Sequence, residues 1–163
     1  MQQTTYTYEN EEFNILVRRM PIWFEEFEIS GDLQQGSIIL HSQNIFDDDW
    51  GPVAKIELNW EKMEPEKYYH PRALQKNIDV YGAIKVVLNK KKKDWLNSHI
   101  YTLWYGTRRK LIKRTPYVEL SIHGIFYCEN TQRVIDLNAG VIKEYFQGFE
   151  PYIIDAFNSF VCH

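Results

Sequence analysis

The residues best suited to do chemistry form a basic stretch in the second half of the chain. Arg108, Arg109, Lys110, Lys113 and Arg114 cluster close to Trp104 and Tyr105. Lys90, Lys91, Lys92 and Lys93 lie upstream, shortly before Trp95. Cations that neutralise phosphates and rings that stack on bases are the components of a single-stranded nucleic-acid site. The plainer reading is a solvated hairpin tip and linker whose aromatics belong to the core. A pI near 6.0 favours that reading, because a nucleic-acid domain leaves a strongly basic footprint. The balance of charge is uneven all the same. Residues 1–70 carry fourteen Asp/Glu against five Lys/Arg, and residues 85–114 carry ten Lys/Arg against the single acid Asp94. The two regions offset each other within one chain or between copies, or the basic one meets a polyanion.

Thiols and imidazoles are the second candidate set. Cys128, Cys162 and His163, with His123 or His99 as a fourth, are residue types that bind zinc. No CxxC or HxxxH pair is present, and such pairs carry the specificity of zinc signatures. His123 and Cys128 are five apart, so a regular strand sends them to opposite faces. The expectation is no metal, with Cys128 a small buried hydrophobe. Adjacent Cys162 and His163 make a poor nucleophile–base pair, since nothing follows to orient the imidazole. Asp47, Asp48 and Asp49, with Glu25, Glu26 and Glu28, lack the alternate ligands and central Gly of a calcium loop, and read as solvated acids. There is no phosphate-binding glycine loop, nucleophile elbow or HExxH. The expectation is a chain without cofactor, and an enzyme ranks third among the readings.

The elements that position these residues follow from periodicity. Val53 to Trp60 alternates, with Ala54, Ile56, Leu58 and Trp60 on one face and Lys55, Glu57 and Asn59 on the other. That is a half-buried strand of an antiparallel sheet. Phe13–Val17, Ile22–Ile29 and Ser37–His41 read as further strands, with Pro21 a break between the first two. Ile100–Tyr105 and Tyr117–Cys128 read as strands joined across residues 108–116, and Arg133–Leu137 returns after a tight turn at residues 129–132. Pro71 opens a helix with the stripe Leu74, Ile78, Tyr81, Ile84 and Leu88. A second helix starts near Pro151 and runs to His163. Residues 1–12 are polar and expected to be a flexible tail. The remainder, 13–163, is expected to be one α+β domain, an antiparallel sheet with two helices packed on it. The N-terminus has no signal-peptide pattern and no run spans a membrane, so the expected location is the cytoplasm.

This order resembles the PsbP-like superfamily, which includes a photosystem II extrinsic subunit and a Ran-binding nuclear transport factor. The resemblance rests on a hairpin around FNILVRRMPIWFEEF, a strand at PVAKIELNW and a helix at PRALQKNIDVYGAI. Hairpins from SHIYTLWYG to CENTQRVIDL and a close in SFVCH complete it. It covers roughly residues 13–160 and implies a binding or assembly module without catalysis. No residue role transfers, because no binding motif matches a position here. The functional expectation is therefore a non-catalytic interaction module with a protein partner or a second copy, and no membrane. Nucleic-acid binding through residues 90–114 is the alternative.

Overall fold

The computed structural model describes residues 3–42, 52–68, 91–96, 99–112 and 115–162. Two antiparallel sheets face each other. The larger has seven strands, β3 (Phe24–Gly31), β4 (Gln35–Ser42), β5 (Ala54–Lys62), β9 (Arg133–Ile142), β8 (Thr115–Cys128), β7 (His99–Ile112) and β6 (Lys91–Leu96), in that spatial order. The smaller has β1 (Thr5–Asn10), β2 (Ile15–Pro21) and β10 (Phe160–Val161). The helices among the described residues are α1 (Pro65–Tyr68), a 3-10 turn at Lys143–Tyr145 and α2 (Phe146–Asn158). The fold is thus dominated by sheet. The helix expected from Pro71 lies outside the described residues.

Strand β5 alternates as its sequence requires. Ala54, Ile56, Leu58 and Trp60 are all at most 2% exposed. They sit opposite Val141, Ala139, Leu137 and Ile135 of β9, and Ile56 and Leu58 also face Leu40 and Ile38 of β4. These side chains form one apolar face. Ile15, Val17 and Met20 of β2 and Ile153, Ala156 and Phe157 of α2 complete the same core cluster. On the opposite face a smaller cluster joins Tyr68, Ile125, Tyr127 and Val134. The Tyr127 hydroxyl donates to the Met63 carbonyl there at 2.7 Å.

Several boundaries differ from the sequence reading. Residues 5–10, expected to fray, pair with β2, and Tyr8 is buried. Tyrosine carries an apolar ring under its hydroxyl, so a segment that reads as polar still contributes to the core. The basic residues expected in connections lie in strands: Lys91 to Lys93 in β6 and Arg108 to Lys110 in β7. The final helix begins at Phe146, with Pro151 inside it. A proline there removes one backbone bond, so it does not mark the first turn as expected. The helix stops at Asn158, and the chain then extends as β10 along β2 instead of staying helical to His163. Ser159 makes that change of direction. Its hydroxyl donates to the Ala156 carbonyl at 2.8 Å and accepts from the Arg19 amide at 2.9 Å.

Trp60 is the largest fully buried side chain, and its indole N–H donates to the Asp32 carbonyl at 2.7 Å. It lies across Gly36, where any Cβ would collide with the ring. Trp60→Ala is expected to cost about 3–5 kcal/mol, read as a lowered midpoint in urea or thermal unfolding. An unchanged midpoint would place the ring outside the core.

Candidate functional site

Three places in the fold concentrate polar or reactive groups. The first is the β3 edge of the larger sheet, unpaired among the described residues. The β3–β4 hairpin turns at Gly31, whose φ of 100° favours glycine. Asp32 fixes the turn, its carboxylate accepting from the Gln34 and Gln35 amides at 2.7 and 3.1 Å. Pairing shifts between Glu26 and Glu28, so the intervening Phe27 sits at a bulge. Its ring stacks on His41 with centroids 4.0 Å apart and still remains 65% exposed. Burial lowers the His41 imidazole below its ordinary value, Lys55 adds to that, and Glu57 opposes it. Ile22, Ile29 and Leu33 are exposed on the same segment. Beside them Glu26 accepts from the Tyr8 hydroxyl at 2.5 Å, and Tyr6 donates to the Phe24 carbonyl at 2.8 Å. Burial first, and then Glu26, push the Tyr8 phenol well up, so it stays a donor.

The second place is a cavity of about 460 Å³ beside this hairpin. Ser30, Ser37, Asn59 and Asp136 give it a polar lining, and Ile125 and Val134 give it an apolar one. Asp136 is buried although ionisable. Sequence reasoning missed this cavity because its lining comes from five strands spread along the chain.

The third place is the joint between the sheets. Arg133 is 3% exposed. Its Nη1 donates to the Phe13 carbonyl at 2.6 Å, and its Nη2 donates to the carbonyls of Asn14 and Cys162 at 2.8 and 3.3 Å. Desolvation lowers its pKa, while Cys128 and Cys162 oppose that. The two cysteines meet with their sulfurs 2.7 Å apart, both buried. A zinc ion bound tetrahedrally at 2.3 Å by both needs them about 3.8 Å apart, so this arrangement is not a zinc chelate. His123 lies five residues before Cys128 on β8 and is buried. His99 is the first residue of β7, and His163 lies outside the described residues. Among the described residues no three His, Cys, Asp or Glu side chains are grouped to hold a metal.

The basic residues are only partly brought together. Lys91, Lys92 and Lys93 pair opposite Trp104, Leu103 and Thr102. Arg108, Arg109 and Lys110 lie further along β7, opposite Glu119, Val118 and Tyr117 of β8. Arg108 is thus four residues, about 13 Å, beyond the last β6 pairing. Arg109 is exposed. Lys90, Lys113 and Arg114 lie outside the described residues. Tyr105, a candidate stacking ring, instead packs edge-on against Phe146 at 6.2 Å, on the core side.

No family model matches the sequence, and no curated protein matches it. Solved structures do. A cyanobacterial PsbP from Synechocystis sp. PCC 6803 aligns over 100% of this chain and 95% of its own, with TM-score 0.60 and 9% identity. The Ran-binding protein Mog1p of Saccharomyces cerevisiae aligns over 99% and 96%, with TM-score 0.62 and 10% identity. The chain shares the fold of these two proteins. A Pseudomonas aeruginosa protein described as a putative regulator has TM-score 0.50 and 10% identity, covering 86% of this chain and 97% of its own. Identities this low show a shared fold and carry no residue role to this chain. Among the described residues no helix is long and apolar enough to cross a membrane.

Two measurements probe these sites. Arg133→Met leaves three carbonyls without their charged donor and is expected to lower stability by about 3 kcal/mol, seen as a reduced urea midpoint. Replacing Arg108, Arg109 and Lys110 by Ala is expected to leave nucleic-acid retention at background. Sub-micromolar binding of single-stranded RNA or DNA at physiological salt, abolished by that triple variant, would favour the nucleic-acid reading. In that case the salt slope should fall by roughly one unit per lost phosphate contact.

Proposed function

We propose that this chain is a non-catalytic protein-interaction module that engages its partner along the β3 edge. One observation carries the reading. Among the residues whose burial the structure describes, the exposed large hydrophobic side chains, Ile22, Phe27, Ile29 and Leu33, all fall within one twelve-residue stretch. Single exposed apolar residues are ordinary, but a contiguous group on a sheet edge is a recurrent mark of a contact surface. An edge strand offers unpaired backbone groups to which an extended segment can add, while alternate side chains select what is added. Here the alternation is acidic and apolar. Glu25, Glu26, Glu28 and Asp32 intersperse the hydrophobic side chains, and no Lys or Arg occurs between Arg19 and Lys55. The partner that fits is an extended segment alternating basic and apolar residues. The yeast neighbour is described as Ran-binding, a protein-interaction role on the same fold, and this supports the class of function.

A photoreactive side chain placed at position 27 should crosslink to the partner, or to another copy, and so identify it. Phe27→Ser combined with Ile29→Ser is then expected to weaken binding of that purified partner at least tenfold, since aromatic anchors dominate interface energetics. Thermal stability should fall only modestly, because Phe27 is 65% exposed and Ile29 38%. Undiminished affinity in the double variant would move the interface elsewhere.

A further inference from the structure

We propose that Cys128 and Cys162 are a reversible dithiol–disulfide couple that covalently joins the two sheets. They are the only cysteines in the chain. Cys128 is the last residue of β8 in the larger sheet, and Cys162 directly follows β10 in the smaller one. Their sulfurs, 2.7 Å apart, have to close by only about 0.7 Å to reach bonding distance. Both flanking segments are held in place. The Arg133 guanidinium and the Asn14 side-chain amide both donate to the Cys162 carbonyl, at 3.3 and 3.5 Å. Phe160 and Val161 pair with Val17 and Leu16.

The surroundings set how the couple reacts. In the closed state both thiols are buried, and the hydrogen bond with Cys128 together with burial holds the Cys162 thiol up. The nucleophile in exchange is the thiolate, so the closed pair is slow to react. β10 is only two residues long, and its opening brings Cys162 into water. The oxidant is a low-molecular-weight disulfide such as glutathione disulfide. The Cys162 thiolate attacks one of its sulfurs and releases one glutathione thiolate. The Cys128 thiolate then attacks the mixed disulfide at the Cys162 sulfur and releases the second. Two protons and two electrons leave the protein, two glutathione thiols form, and one S–S bond closes. Arg133, next to both sulfurs, offers positive charge to the thiolates during these steps.

The purified chain, equilibrated in graded reduced and oxidised glutathione and then alkylated, provides the test. A species lighter by two hydrogens with no alkylatable thiol is expected in oxidising buffer, its peptide map linking Cys128 to Cys162. Dithiothreitol should return it to the reduced mass. Oxidation should raise the thermal midpoint and slow amide exchange at Phe160, Val161, Leu16 and Val17. Cys128→Ala and Cys162→Ala should each leave one alkylatable thiol and abolish both effects. If either variant fails to fold, the mass and exchange measurements on the unaltered chain still decide. Two thiols that stay alkylatable in fully oxidising buffer, even with enough urea to open the C-terminal segment, would overturn the proposal. Oxidation that ends only in glutathione adducts or in linked dimers would overturn it equally.

Discussion

Everything in this molecule depends on covering the apolar face of the seven-stranded sheet. A sheet with one oily face has to bury it against another layer, and here that layer is composite. Strand β2 supplies Ile15, Val17 and Met20, and α2 supplies Ile153, Ala156 and Phe157. These two pieces come from opposite ends of the described chain. They act as one layer because β10, which follows α2, pairs with β2. The cover is therefore assembled around a short strand pair and the core beneath it, and the loss of that pair would split it.

The charge inside the joint is explained by the same demand. Two hairpin-type turns meet there, each ending on a residue with a left-handed backbone, Asn14 before β2 and Gln132 before β9. Turns leave carbonyls pointing inward that no strand partner satisfies. A guanidinium has several donors in a fixed fork and serves several carbonyls at once, which an ammonium does less well. The Arg19–Asp155 ion pair at 2.9 Å repeats the β2–α2 connection at the surface, where both side chains are about half exposed. Such a pair is worth about 0–1 kcal/mol. The buried contacts of Arg133 and the apolar packing hold the layers, and the surface pair adds little.

The sequence was legible wherever one face of an element is apolar and the other polar. β5 shows this, since Lys55, Glu57 and Asn59 leave no doubt about which residues turn inward. The fold shared with PsbP and Mog1p was legible in part from the order of the strands, while the mid-chain helix of that order lies outside the described residues. The misreadings share a cause, which is that side-chain type was taken as a proxy for environment. Tyr6 and Tyr8 looked polar and are partly or fully buried. Arg108 and Lys110 looked like loop residues, yet long aliphatic stems are compatible with a strand. The bulge in β3, which leaves Phe27 exposed, carried no local signal. The cavity and the sulfur pair had no local signal, since residues 34 positions apart meet only through tertiary structure.

The contact between β2 and the segment after α2 also orders events in time. The Arg19 amide and the Ser159 hydroxyl that it meets are 140 residues apart in sequence. A ribosome extends a chain at about 5–20 residues per second, so β2 waits many seconds for its neighbour while its apolar side chains are already outside. Pairings across such separations also close slowly after synthesis. This architecture leaves an oily strand without its closing neighbour until about 140 further residues have been made.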